Sequence, residues 1–133
     1  MWGTVLKRDL LGETREEDRF HTREELKEYL KSEIERQGKN AVIRNLDVSL
    51  VEDLIDLFYK ITDGVESLDL SGWKTSNVED TSWMFFRCEN LKSRDLSGFV
   101  VSSVKNMGNM LCECPAPYEV VDHKIVKICG EQF

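Results

Sequence analysis

The residues of this 133-residue chain that could do chemistry are four cysteines, two histidines and several adjacent carboxylates. Cys112-x-Cys114 is one residue too tight for a C-x-x-C motif, and Cys88 and Cys129 form no second pair at a metal-site spacing. A zinc site from Cys112, Cys114 and Cys129 is the sharper reading. A stack of free core thiols is the plainer one and is preferred. His21 and His123 stand about 100 positions apart with no serine or cysteine motif beside either, so each reads as a surface histidine. The eight glycines are scattered and form no phosphate loop, and no D-x-D-x-D-G series offers a calcium loop. The carboxylate pairs Glu16-Glu17, Glu24-Glu25, Glu52-Asp53 and Glu79-Asp80 could serve general acid–base work. At helix starts they would serve the helix dipole and the caps instead, and that role is expected here. These counts lead to the expectation of a non-enzyme with no cofactor and no metal.

Elements must position these groups. Residues 1–20 read as an N-terminal arm. Thr22-Arg23-Glu24-Glu25 is a capping box. Leu26, Tyr29, Leu30 and Ile34 then follow as one apolar stripe, and Gly38 suits the helix end. This helix and a short strand at Ala41-Val42-Ile43 make a capping unit over 21–45.

Beyond it the chain resembles itself. Leu70-Ser71-Gly72-Trp73 recurs as Leu96-Ser97-Gly98-Phe99, 26 positions on. The same spacing pairs Ser76 with Ser102, Val78 with Val104, Asp80 with Asn106, Met84 with Met110 and Cys88 with Cys114. A spacing of 27 pairs Ser49 with Ser76, Val51 with Val78, Asp53 with Asp80, Leu57 with Met84 and Phe58 with Phe85. About two and a half units therefore occupy 46–115, each too small to bury its apolar side unless stacked on a neighbour. Ser49-x-x-Glu52 and Ser76-x-x-Glu79 read as capping boxes for short helices near 50–60 and 78–88. Ser67-Leu68-Asp69-Leu70 and Lys92-Ser93-Arg94-Asp95-Leu96 read as parallel strands. Tyr118–Val121 and Lys124–Ile128, either side of Asp122-His123, read as a closing hairpin within 116–133. The fold class is thus α/β: a short leucine-rich-repeat-like solenoid behind a capping helix.

The run Leu68-Asp69-Leu70-Ser71-Gly72-Trp73-Lys74-Thr75-Ser76-Asn77-Val78-Glu79-Asp80-Thr81-Ser82-Trp83-Met84-Phe85 resembles the BspA-like repeat of mycoplasma-type and gut-bacterial surface proteins. That repeat runs roughly L-D-L-S-x-(W/F)-x-T-S-x-V-x-(D/N)-M-x-x-M-F. Thr81 stands where that repeat usually has Met, and Arg94 where a Leu is expected. Family members on cell surfaces serve adhesion and binding, a role that does not carry over to a short cytosolic member, and the resemblance brings no catalytic residues. It also implies short intracellular members in phage and mobile-element settings.

Hydrophobic content of 41% and charged content of 32% suit a soluble globular chain. No apolar run approaches a membrane span, and the first residues lack the apolar core of a signal peptide, so a cytoplasmic protein is expected. Net charge is −7. Residues 1–45 hold ten basic and ten acidic residues; residues 46–133 hold eight basic and fifteen acidic, so the repeats carry the whole excess. Such a surface disfavours direct nucleic-acid contact and suits a protein partner with a basic surface. The expected partner-binding residues are Asp53, Asp69, Glu79, Asp80, Trp83 and Asp95, with Trp2 and Phe133 as further exposed anchors. A sharper form of this expectation is a phage-encoded inhibitor of a bacterial defence nuclease, such as an anti-CRISPR. The alternative is a structural or adhesion-type subunit that self-associates.

Overall fold

The computed structural model describes residues 19–88, 90–108, 110, 118–128 and 131–132. Its elements are one helix, α1 (Arg23–Gln37), and the strands β1 (Asn40–Val42), β2 (Ser67–Asp69), β3 (Ser93–Asp95), β4 (Tyr118–Val121), β5 (Lys124–Ile128) and β6 (Glu131–Gln132). Helix and sheet together make the chain α/β.

α1 begins where its sequence asks. Thr22 Oγ1 accepts the Glu25 N–H at 3.1 Å, and Glu25 Oε1 accepts the His21 N–H at 2.9 Å. Leu26, Leu30 and Ile34 face the core, and Phe20 packs on Tyr29 with ring centroids 5.2 Å apart. Gly38, at φ 79, ends the helix and donates its N–H to the Ile34 carbonyl. Gln37 then turns its carboxamide onto β1, accepting the Val42 N–H at 2.7 Å and donating to the Val42 carbonyl at 2.9 Å. One side chain so occupies the outer edge of the first strand, an edge that otherwise invites pairing with another chain.

β1, β2 and β3 form a parallel sheet in that order. Asn40 pairs with Ser67, 27 positions on, and Ser67 with Ser93, 26 positions on. The two spacings found by self-comparison are thus the spacings of Cα partners. A second parallel ladder joins Asp53, Asp80 and Asn106, and Asp47 bridges to Lys74. Between the ladders lies a core that includes Leu54, Leu57, Leu68, Leu70, Val78, Met84 and Leu96. Two aromatic stacks run through it: Phe58 on Phe85 at 5.3 Å and Trp73 on Phe99 at 5.6 Å.

The short helices expected near 50–60 and 78–88 do not form. Backbone bonding shows why. In a helix every N–H reaches back four residues. Here Leu54 N–H donates sideways to Asp80 O, Phe58 to Met84 O, Thr81 to Asn106 O and Phe85 to Met110 O. Between these lateral bonds the chain makes i→i+3 turns, such as Leu57 N–H to Leu54 O and Met84 N–H to Thr81 O. The turns carry left-handed residues at Asp56 and Lys60, and again at Trp83 and Arg87, which no α-helix accommodates. Apolar residues three and four apart gave a helical pattern, but the neighbouring segment supplied better hydrogen-bond partners than the segment itself.

The tail forms the expected hairpin. β4 and β5 pair antiparallel, and Asp122 and His123 both have positive φ, as a two-residue type I′ turn requires. β6 adds a strand that the sequence reading did not include. The hairpin reaches the stacked segments through Ile125 N–H to Phe99 O and Val101 N–H to His123 O.

Thr81 is buried, and its hydroxyl has no hydrogen-bond partner among the described residues. Thr81→Val removes that hydroxyl at constant shape and is expected to stabilise the fold by about 1 kcal/mol. The urea midpoint should rise with the slope unchanged; a lower midpoint contradicts the assignment.

Candidate interaction surfaces

Each of the four aspartates expected to bind a partner already holds a turn. Asp80 Oδ1 accepts the Ser82 N–H at 2.8 Å and the Ser82 hydroxyl at 2.6 Å. Asp95 Oδ1 does the same for Ser97. Asp69 Oδ1 accepts Ser71 N–H at 3.1 Å, and Asp53 Oδ1 accepts Ile55 N–H at 3.2 Å. Buried Asp47 holds Ser49 N–H in the same way, and Asn106 holds Gly108 N–H. The signal was in the sequence: Asp-x-Ser at 47–49, 69–71, 80–82 and 95–97 is an Asx-turn spacing. Ser49, read as a cap for its own helix, instead donates its N–H and hydroxyl to Asp47.

One carboxylate oxygen of each aspartate is therefore spent on the backbone. Asp69 uses the other on Arg44, whose Nη2 lies 2.6 Å from Oδ2. Partial burial is the largest single influence on this carboxyl and pushes its pKa up. The bonds from Arg44 and Ser71 together outweigh it and hold the pKa below the usual value. Folding is then favoured by ionised Asp69 above the unfolded-state pKa, and that contribution is lost as pH falls through the folded value. Asp69→Asn is expected to flatten the acid side of the stability curve, read from urea midpoints between pH 2 and pH 5, roughly the range of carboxylate titration. An unchanged acid limb would contradict the Arg44 pairing.

Asp80→Ala is expected to cost roughly 1–2 kcal/mol by stranding the Ser82 N–H and hydroxyl. Asp80→Asn keeps the accepting oxygen and should cost clearly less. Equal losses, measured by thermal melting, would mean that charge and not turn geometry is what the fold needs at 80.

The six expected residues do not share one patch by register. Asp69 and Asp95 are Cα partners in the β1–β3 sheet. Asp53 and Asp80 are partners in the other ladder, where Arg23 Nη1 lies 3.3 Å from Asp53 Oδ1. Glu79 is paired with Lys105 at 3.1 Å. Trp83 is exposed, at 38%, on a left-handed turn position.

Trp83 belongs to a group that sequence reading missed. Its ring meets Phe86 edge-on at 5.0 Å, and Phe86 lies 5.1 Å from Tyr59. Cations sit over these rings: Lys60 over Tyr59 at 5.3 Å and Arg87 over Phe86 at 5.3 Å. Lys27 approaches Tyr59 at 6.0 Å while bonding the Asp56 carbonyl at 2.8 Å. The spacing of 27 that pairs Phe58 with Phe85 also pairs Tyr59 with Phe86 and Lys60 with Arg87. Continuing the same comparison would have shown an aromatic row and a cationic row side by side.

His21 and His123 are exposed, and Cys88 is half-buried with its thiol donating to the Phe58 carbonyl at 3.7 Å. Cys112, Cys114, Cys129, Trp2 and Phe133 lie outside the described residues. Among the described residues, no group of three or more His, Cys, Asp or Glu side chains could hold a metal ion, and no helix is long and apolar enough to cross a membrane. No curated protein and no solved structure matches the chain. A family model does match, over residues 26–122, which takes in most of α1, the parallel sheet, both ladders and the start of the hairpin. The chain belongs to the family described as mycoplasma protein of unknown function, DUF285.

Proposed function

We propose that the chain is a short leucine-rich-repeat-like solenoid of the BspA-like kind, which acts in the cytoplasm as a non-enzymatic binding module for a protein with a basic surface. The observation that carries this reading is the parallel sheet with Asp69 and Asp95 side by side in register. Both aspartates are held by their own turns, and Asp69 by Arg44 as well, so Asp95 displays its charge at a fixed distance from a carboxylate that Arg44 partly balances, with little ordering left for binding to impose. The net charge of −7 adds long-range attraction for a basic partner. The finer form of the proposal is an inhibitor that occupies the basic nucleic-acid channel of a bacterial defence nuclease, as an anti-CRISPR would.

The purified chain should be titrated against such nuclease complexes at increasing salt. Asp69→Asn with Asp95→Asn removes both charges yet keeps the accepting oxygens of the turns. Association should slow with salt, and the double variant should bind about tenfold more weakly, as expected for losing interfacial charge. Binding indifferent to both would overturn the electrostatic reading. The competing reading is self-assembly through the ends of the stack. Gln37 and α1 cover the first strand, and the hairpin covers 99–101, which favours the binding module. Light scattering separates the two, because a mass that rises with concentration supports assembly.

A further inference from the structure

We propose that the ridge formed by Tyr59, Phe86 and Trp83, with Lys60 and Arg87 over its rings, is a second docking surface, which takes an acidic segment of a protein partner. It lies apart from the Asp69–Asp95 pair, so it stands whether or not the basic-partner reading does. Most arginines described here have a carboxylate to hold: Arg19 has Asp47, Arg23 has Asp53 and Glu24, Arg36 has Glu33, and Arg44 has Asp69. Lys60 and Arg87 are both exposed, and among the described residues neither makes an ion pair. Each is instead seated over an aromatic face, which orders the side chain without neutralising it. In a chain of net charge −7, two ordered and unneutralised cations one register step apart are complementary to carboxylates on a partner.

The apolar half of the surface is beside them. Trp83 offers exposed indole next to Phe86, the kind of side chain that anchors protein interfaces. Lys60 also borders a groove of about 320 Å³ between α1 and the turn at 60–65, with Ile34 and Ile61 in its wall and Lys31, Glu35 and Asp63 at its rim. An acidic segment with apolar residues among its carboxylates matches this alternation of cation and apolar surface.

A single-stranded nucleic acid is the competing anion, and the geometry disfavours it. Bases bind by stacking on open ring faces. Here Lys60 and Arg87 occupy one face each of Tyr59 and Phe86, and Trp83 meets Phe86 at 88°, so the rings offer no continuous platform. A long polyphosphate would also meet the chain's acidic excess, whereas a short acidic segment need touch only the ridge.

The test uses the full chain and a fluorescent peptide of alternating glutamate–leucine pairs, with a lysine–leucine peptide and oligo(dT) as comparisons, followed by anisotropy at low salt. The glutamate peptide should bind and the other two should not. Lys60→Glu with Arg87→Glu should weaken it about tenfold or more, and Trp83→Ala by a similar factor, the size of effect expected of interface anchors. Because positions 60 and 87 have positive φ, Lys60→Asn with Arg87→Asn provides a second pair that suits the backbone and removes the charge. Lys74→Gln, which removes an exposed cation at the Asp47–Lys74 bridge, should leave binding unchanged. No binding of the glutamate peptide, equal binding of the lysine peptide, or insensitivity to both charge-removing pairs would overturn the proposal. Preferential binding of oligo(dT), weakened by the same variants, would assign the ridge to nucleic acid instead.

Discussion

Replacing Trp73 with alanine is expected to cost about 3–5 kcal/mol of folding stability, the range for truncating a buried aromatic side chain. Trp73 is 2% exposed and among the largest fully enclosed side chains described. Its indole N–H donates to the Ile43 carbonyl at 2.6 Å, while its ring stacks on Phe99. Those two partners lie in the segments on either side of its own, because 43 follows β1 and 99 follows β3. One side chain thus ties three stacked segments, and alanine leaves a cavity as well as a carbonyl without its donor. Trp73→Phe separates the two effects. It keeps most of the apolar contact and loses the hydrogen bond, so it should cost roughly 1–3 kcal/mol. Urea unfolding followed by far-ultraviolet circular dichroism reads both. A loss below about 1 kcal/mol for the alanine variant would show that the segments do not share a close-packed core.

The second large effect is expected at Gly98. Asn45, Gly72 and Gly98 occupy the same corner in successive segments, all with positive φ, at 61°, 77° and 90°. Asn45 N–H donates to Ser71 O and Gly72 N–H to Ser97 O, so the corners are drawn together. A Cβ on Gly98 would lie 3.3 Å from the Gly72 nitrogen and 3.4 Å from its Cα. Both neighbours are backbone and cannot swing aside. Gly98→Ala therefore bears the left-handed conformational cost of about 1–2 kcal/mol together with a contact penalty, for a total of about 2–3 kcal/mol. Gly64 is the control, since its φ is +80 but a Cβ there meets nothing within 4 Å. Gly64→Ala should show the conformational cost alone. If the two variants melt together, the corners are not close-stacked.

The wrong helices and the hidden turns have one origin. Val51, Leu54, Leu57 and Phe58 are spaced as a helical stripe would be, and all four are buried, so the apolar pattern was read correctly. It says which residues go inward and not where the intervening N–H groups go. Those groups found carbonyls in the next segment, at Asp80 and Met84, a choice that no single stretch of sequence contains. α1 was legible because its partners are local: Thr22, Glu25 and Gly38 settle its ends within the element itself.

The acidic residues show the same division. Aspartate's short carboxylate serves equally to cap a backbone N–H two residues on or to meet a cation on another protein. Both uses look alike in composition and charge, and the Asp-x-Ser spacing alone leans towards the first. Only the folded chain shows that Oδ1 of Asp53, Asp69, Asp80 and Asp95 is committed to turns. It likewise shows Lys60 and Arg87 over rings while Arg19, Arg23, Arg36 and Arg44 close on carboxylates. By itself, the sequence determined the steps of 27 and 26, and with them which residue lies beside which, because stacked segments bury their apolar sides only in a common register. The tertiary structure decided which polar groups are used up inside the molecule and which remain for a partner, because that depends on where neighbouring N–H groups and rings come to rest.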